Sequence, residues 1–131
     1  MEQLANYRIH IVFILMILSL KAFPASHNPQ QLLESIRGTP DEGEQIVQSF
    51  CVTCHGVKPL INLGAPKIGV ENDWKDRVKQ GLDRLFEHTD QGYGAMPARG
   101  GCFECSDQQL RLAILAMLPK TLTKAIKKAE S

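Results

Sequence analysis

A chain of 131 residues leaves room for a single domain. With 44% hydrophobic residues, 22% charged and a formal net charge of +1, it is too apolar to be disordered and too evenly charged to hold nucleic acid by electrostatics alone. Its aromatic content is low, and of the few large rings Tyr7, Phe13 and Phe23 lie at the extreme N-terminus, leaving Phe50, Trp74, Phe86, Tyr93 and Phe103 to build a core. A small domain so short of bulk must fill its centre another way, and the 4 Cys direct attention to where.

Residues 9–20 read IHIVFILMILSL, an apolar run preceded by Arg8 and followed by the small-residue stretch 22–26. This is the pattern of a secretory signal peptide over residues 1–25, cleaved after Ala25 although Phe23 suits the minus-three position poorly. The run falls short of the roughly 18 to 20 residues that span a bilayer, so a retained inner-membrane anchor facing the periplasm is the alternative. Removing the leader takes away Glu2, Arg8 and Lys21 and leaves acidic and basic residues in equal number. The mature chain is expected in an oxidising space, the periplasm of a bacterium, where spare cysteines pair.

An N-terminal extension, 26–38, carries Leu32, Leu33 and Ile36 on a short helix or linker, and the domain proper is expected over 39–119. Thr39 with Glu42 reads as a capping box, with Pro40 at the first helical position and acids in the first turn. The helix that follows places Ile46, Val47, Phe50, Cys51 and Cys54 at helical spacing, and Gly43 within it predicts close approach of another backbone. Residues 56–69, rich in Gly and Pro, form a loop. Asn72 is expected to cap a helix that runs through Gln80 and ends at Gly81, and a second helix covers 82–89. After a glycine-rich loop over 92–105, Ser106 with Gln109 opens a last helix whose apolar face is Leu110, Ala113, Ile114, Met117 and Leu118. The Lys-rich tail, 120–131, continues as an amphipathic helix. No strand pattern or repeat is present, so the class is all-α, with three to five helices joined by Gly/Pro-rich loops.

Cys51, Val52, Thr53, Cys54 and His55 form the attachment signature of a c-type haem. Residues three apart on a helical turn project to one side, so both thiols reach the vinyl groups along one porphyrin edge, and His55 follows on the same turn to meet the iron. A tetrathiolate zinc site from Cys51, Cys54, Cys102 and Cys105 is the competing reading; the long stretch 55–101 between the pairs and an oxidising compartment both oppose it. A thioredoxin-like pair lacks its βαβ context. Ser106 follows Cys105 where a second haem would need His, so one covalent haem c is expected, with Cys102 and Cys105 forming a short local disulfide.

Iron so bound needs a sixth ligand or an open position. Met117 falls on the apolar stripe of the last helix and reads as core, whereas Met96 lies between Gly94 and Pro97 in a loop where an ordinary core Met has little reason to be. Met96 is the expected ligand, with His88 and a vacant position as alternatives. A neutral thioether favours the ferrous state and saturates the iron, which suits outer-sphere electron transfer.

These residues resemble class I c-type cytochromes, and in particular the cytochrome c5 family, from Gly43 to Met117. The resemblance is carried by CVTCH (51–55), GAPKIG (64–69), Trp74 with Arg77 and Gly81, AMPARGGC (95–102) and CSD (105–107). It implies a small cytochrome c fold around one covalently attached haem. It further implies that the Pro66 carbonyl holds the other nitrogen of His55, that Trp74 and Arg77 lie near the haem propionates, and that Cys102 and Cys105 are disulfide-bonded. The family carries aromatics where this chain has Val47 and Ala116, so a looser crossing of the first and last helices is expected.

The function these features imply is that of a periplasmic monohaem electron carrier, not an enzyme, passing single electrons between a quinol-oxidising complex or another cytochrome and a terminal oxidase or reductase. Docking is expected at an apolar rim of Val57, Leu60, Ile61, Ile68, Ala95 and Pro97, with Lys58, Lys67 and Arg99 orienting the partner. A peroxidase or gas-responsive protein with open iron is the alternative.

Overall fold

The computed structural model describes residues 28–129; the leader expected over 1–25 lies outside the described residues. Helix α1 (Pro29–Ile36) starts with the side chain of Asn28 accepting from the Gln31 amide at 3.3 Å and with Pro29 at the first position. Its Leu33 and Ile36 are buried in the main core, so part of the N-terminal extension is built into the body of the fold.

The expected capping box at Thr39 does not form. Thr39 donates its hydroxyl back to the Ile36 carbonyl at 2.8 Å, and Glu42 turns a carboxylate oxygen to the Gly38 amide, also at 2.8 Å. The helix therefore begins later, as α2 (Glu42–Ile46), and runs through a π-helical turn (Val47–Cys51) into α3 (Val52–His55). The π turn went unread in the sequence because strict α spacing fits the apolar positions on either side of it. It inserts a wider turn just ahead of the cysteine pair, a placement π-bulges often have at functional sites.

A second difference lies over 71–80. Asn72 caps nothing: α4 (Glu71–Trp74) follows an extended Val70 with no side-chain cap, and a separate 3₁₀ turn (Val78–Gln80) leads to Gly81 at φ 81°. The first turn is tied to the preceding loop instead, since Asp73 accepts from the Lys67 amide at 2.9 Å and the Trp74 indole donates to the Lys67 carbonyl at 2.8 Å. Then come α5 (Gly81–Gln91), a 3₁₀ turn (Ala98–Gly101), α6 (Asp107–Met117) and α7 (Lys120–Ala129). Taking 42–55 as one rod, five helical bodies longer than two turns stand among the described residues, which contain no strand, only an isolated bridge between Tyr93 and Met96. The fold is the small all-α one that the sequence implied.

The rod of 42–55 crosses α6 at Gly43, where a Cβ would stand 2.5 Å from the Leu112 carbonyl oxygen. Only glycine admits that approach, and Ile46, Val47, Ala113 and Ile114 are buried around it, each worth up to about 1.5–3 kcal/mol for the larger side chains. The crossing is thus closed by backbone contact. Small Ala116 instead lines an open groove of about 760 Å³ with Gly43, Leu112 and Leu115.

Under the crossing lies a polar knot. Ser106 and Gln109 form the capping box of α6 as the sequence indicated, but the buried Gln109 amide also donates to the Glu42 carboxylate at 2.9 Å and the Leu33 carbonyl at 3.2 Å. One side chain thereby joins α1, α2 and α6, and no buried side-chain polar atom among the described residues is left unpaired. The apolar face of α7 is docked on the body through Ile126 and Leu122, and among the described residues no helix is long and apolar enough to cross a membrane.

Candidate haem-attachment site

Cys51, Cys54 and His55 stand on one continuous helical stretch, so their relative positions follow from local geometry alone. Both thiols are free and half-buried. Burial, reinforced by the nearby Cys54, pushes the Cys51 thiol up to about 11, so it stays protonated at neutral pH. His55 is 7% exposed, and its Nδ1 lies 2.8 Å from the Pro66 carbonyl oxygen. A carbonyl only accepts, so this contact makes Nδ1 the protonated nitrogen and leaves the Nε2 lone pair free to bind a metal.

The segment after Pro66 grips the same helix end again, because the His55 carbonyl accepts from the Ile68 amide at 2.8 Å, while the Thr53 carbonyl takes the Ile61 amide at 3.0 Å. The next links are Lys67 to Asp73 and Trp74, described above, and the Arg77 guanidinium donating to the Asp73 carbonyl. His55, Pro66, Trp74 and Arg77 therefore form one connected wall. Trp74 is buried and its indole N–H is already engaged, whereas Arg77 is exposed.

Met96 lies on a separate segment. Its amide and carbonyl both pair with Tyr93, at 3.0 and 3.1 Å, across a tight turn with Gly94 at φ 59°. Gly92, at φ 85°, sits so close beneath that a Cβ would be 2.7 Å from the Met96 carbonyl oxygen. The thioether end of Met96 lies over Gly100, and the 3₁₀ turn Ala98–Gly101 packs against the Val47–Cys51 turn, which brings this loop to the cysteine-bearing helix. Met117 is buried in the core, and His88 stacks on Tyr93 with ring centroids 4.3 Å apart.

Cys102 and Cys105 are joined in a disulfide, with Cα atoms 5.4 Å apart. Two of the four sulfurs are thus consumed, and no three His, Cys, Asp or Glu among the described residues converge on a metal position, so the tetrathiolate zinc site does not form. The donor set suits a covalently held haem: two unpaired thiols one turn apart and an oriented imidazole beside them.

Two surface expectations change. Arg99 is not a free surface charge but 20% exposed and bound to Asp90, Asp107 and the Cys105 carbonyl. Ile68 packs against the core, while Val57, Leu60 and Ile61 remain exposed, Leu60 by 88%, and are joined by Leu63, which the sequence did not single out. Nothing in the local pattern around Leu63 or Arg99 could have separated them from ordinary loop residues.

Residues 38–115 match the family described as "Cytochrome C oxidase, cbb3-type, subunit III". The chain is 42% identical over 79 residues to cytochrome c5 of Azotobacter vinelandii, covering 59% of this chain and 92% of that one. It is 40% identical to cytochrome c5 of Ectopseudomonas mendocina, over 63% and 94% of the two chains, and 34% identical to cytochrome c-555 of Chlorobaculum tepidum, over 58% and 71%. Among solved structures it is similar to a chain from the "Crystal structure of electron transfer complex of nitrite reductase with cytochrome c", with a TM-score of 0.52 and 37% identity over 58% of this chain and 89% of that chain.

Proposed function

Because this chain belongs to the cytochrome c5 family of class I c-type cytochromes, we propose that it is a periplasmic monohaem electron carrier with His55 and Met96 as the axial ligands of one haem c. The observation that carries the reading is the His55 geometry: two free thiols on the same helical stretch, and Nδ1 held at 2.8 Å by the Pro66 carbonyl.

When bound, the haem supplies a one-electron iron couple. Cys51 and Cys54 would hold it as thioethers, His55 Nε2 and Met96 Sδ would ligate the iron, and Arg77 and Trp74 would serve the propionates. The Pro66 carbonyl fixes the tautomer and the plane of the imidazole. Met96, neutral and soft, biases the site toward the lower charge and leaves no position open for substrate. No residue is assigned a catalytic role.

The exposed apolar loop with Val57, Leu60, Ile61 and Leu63 is the docking rim. With acids and bases balanced in the mature chain, contacts there are small, apolar and brief. A reductase is the partner class favoured by the structural relative, which comes from an electron transfer complex of nitrite reductase with cytochrome c. Export is supported by the leader pattern and by the Cys102–Cys105 disulfide, which persists in oxidising spaces.

The test is to purify the protein from the periplasmic fraction and measure its mass and pyridine haemochrome. One haem per chain, retained on denaturation, with residues 1–25 absent is the expected result; a colourless protein, or haem lost on denaturation, would sink the reading.

A further inference from the structure

Arg99 has the one positive φ, 56°, found outside glycine among the described residues, and Gly100 and Gly101 continue in the same region at 59° and 84°. A strained backbone persists only when its surroundings over-determine it, and here they do. The guanidinium donates through Nη1 to Asp90, near the C-terminal end of α5, and through Nη2 to the Cys105 carbonyl at 2.7 Å and to Asp107, in the first turn of α6, at 3.0 Å. The Arg99 carbonyl accepts from the Cys102 amide at 3.0 Å, and Pro97 and Gly100 are bonded across the same turn. Gly100 carries the thioether end of Met96 above it. Charge-assisted bonds from one fork thus lash the floor beneath Met96 to two helices and to the disulfide loop.

We propose that Arg99 is the positioning residue for Met96: its fork to Asp90, Asp107 and the Cys105 carbonyl holds the Ala98–Gly101 turn in the left-handed conformation that presents the thioether to the iron. The inference rests on Met96 being the axial ligand, and it removes Arg99 from the set of partner-steering charges. A cation that spends its donors inside the fold can steer little, whereas its loss would free the ligand loop while leaving the His55 side intact.

The experiment compares ferric holoprotein of wild type, Arg99→Gly, Arg99→Lys and the double variant Asp90→Asn/Asp107→Asn. Arg99→Gly deletes the fork at a position where glycine is free of backbone strain, so it folds; the double variant keeps residue 99 and removes only the carboxylates. The readouts are the weak far-red thioether-to-iron band, the rate of cyanide binding and the melting temperature. Loss of charge-assisted bonds predicts cyanide binding faster by about tenfold and a weakened far-red band in Arg99→Gly, with Arg99→Lys and the double variant in between. A lowered melting temperature with cyanide rate and band unchanged would make Arg99 merely structural and overturn the proposal. So would unchanged spectra with an altered salt dependence of electron transfer to a reductase, which would restore it as a docking charge. Absence of the far-red band in wild type itself would instead remove Met96 as ligand, and the proposal with it.

Discussion

His55 and Met96 reach their places by different means, one on a helix and one on a loop. The histidine stands directly after Cys54 on the helical stretch that carries both cysteines, and the loop beyond it clasps it through backbone atoms of Pro66 and Ile68. The methionine stands on a loop whose shape depends on glycines at φ 85°, 59°, 59° and 84°, on a disulfide and on an Arg fork reaching two helices. One ligand is carried by a helix; the other is carried by an irregular, glycine-shaped loop. The ligand side carried by the loop should be the one that yields first under perturbation.

Gly92→Ala tests that asymmetry hardest. The new Cβ meets the Met96 carbonyl oxygen at 2.7 Å in a left-handed backbone, so a loss of about 2–4 kcal/mol in denaturant unfolding is expected, with the far-red band reduced in the same variant. Gly43→Ala provides the contrast. It drives a Cβ to 2.5 Å from the Leu112 carbonyl at the helix crossing and should cost about 1–3 kcal/mol, outweighing any gain in helix propensity, while the spectrum of folded protein stays that of wild type.

On the His55 side, Trp74→Phe removes the indole bond to Lys67 and should cost about 1 kcal/mol. Its cyanide-binding rate should equal wild type, because the Pro66 clasp remains. The smallest effect belongs to Asp76, which sits on the surface near neither ligand. Lys79 donates to it and holds its carboxyl below the ordinary 3.8. Its contribution is present above that ordinary value and is lost as pH falls through the lowered one. For a fully exposed pair, Lys79→Ala should alter only the acid edge of an unfolding-versus-pH curve, and barely.

The same division explains what could be read from the chain. The cysteine pair with His55, and the Ser106–Gln109 box, are local patterns, and local rules suffice to find them. The helix crossing at Gly43 was legible too, since a glycine within an apolar helical stripe has few other causes. By contrast the Thr39–Glu42 box was a local pattern overruled by a distant partner, because Glu42 serves Gly38 and Gln109 instead. Asn72 lost its capping role because Trp74 and Asp73 bind the loop behind them. Arg99 gave no signal at all: its partners lie at the ends of two helices, and no spacing rule joins them.

The opening shortage of large side chains also takes a definite form. Among the described residues Phe103 and Tyr93 are exposed and Trp74 is the one buried large ring, so the aliphatic crossing of the 42–55 rod with α6 and a bound porphyrin must supply the bulk. The central claim, a single haem c pinned by His55 and Met96, is tested most directly by the reduction potential and ferric far-red spectrum of wild type beside Met96→Ala. Loss of the far-red band and a clear fall in potential in the variant is the predicted result, since a soft neutral ligand that favours ferrous iron is gone. An unchanged potential and spectrum would contradict it.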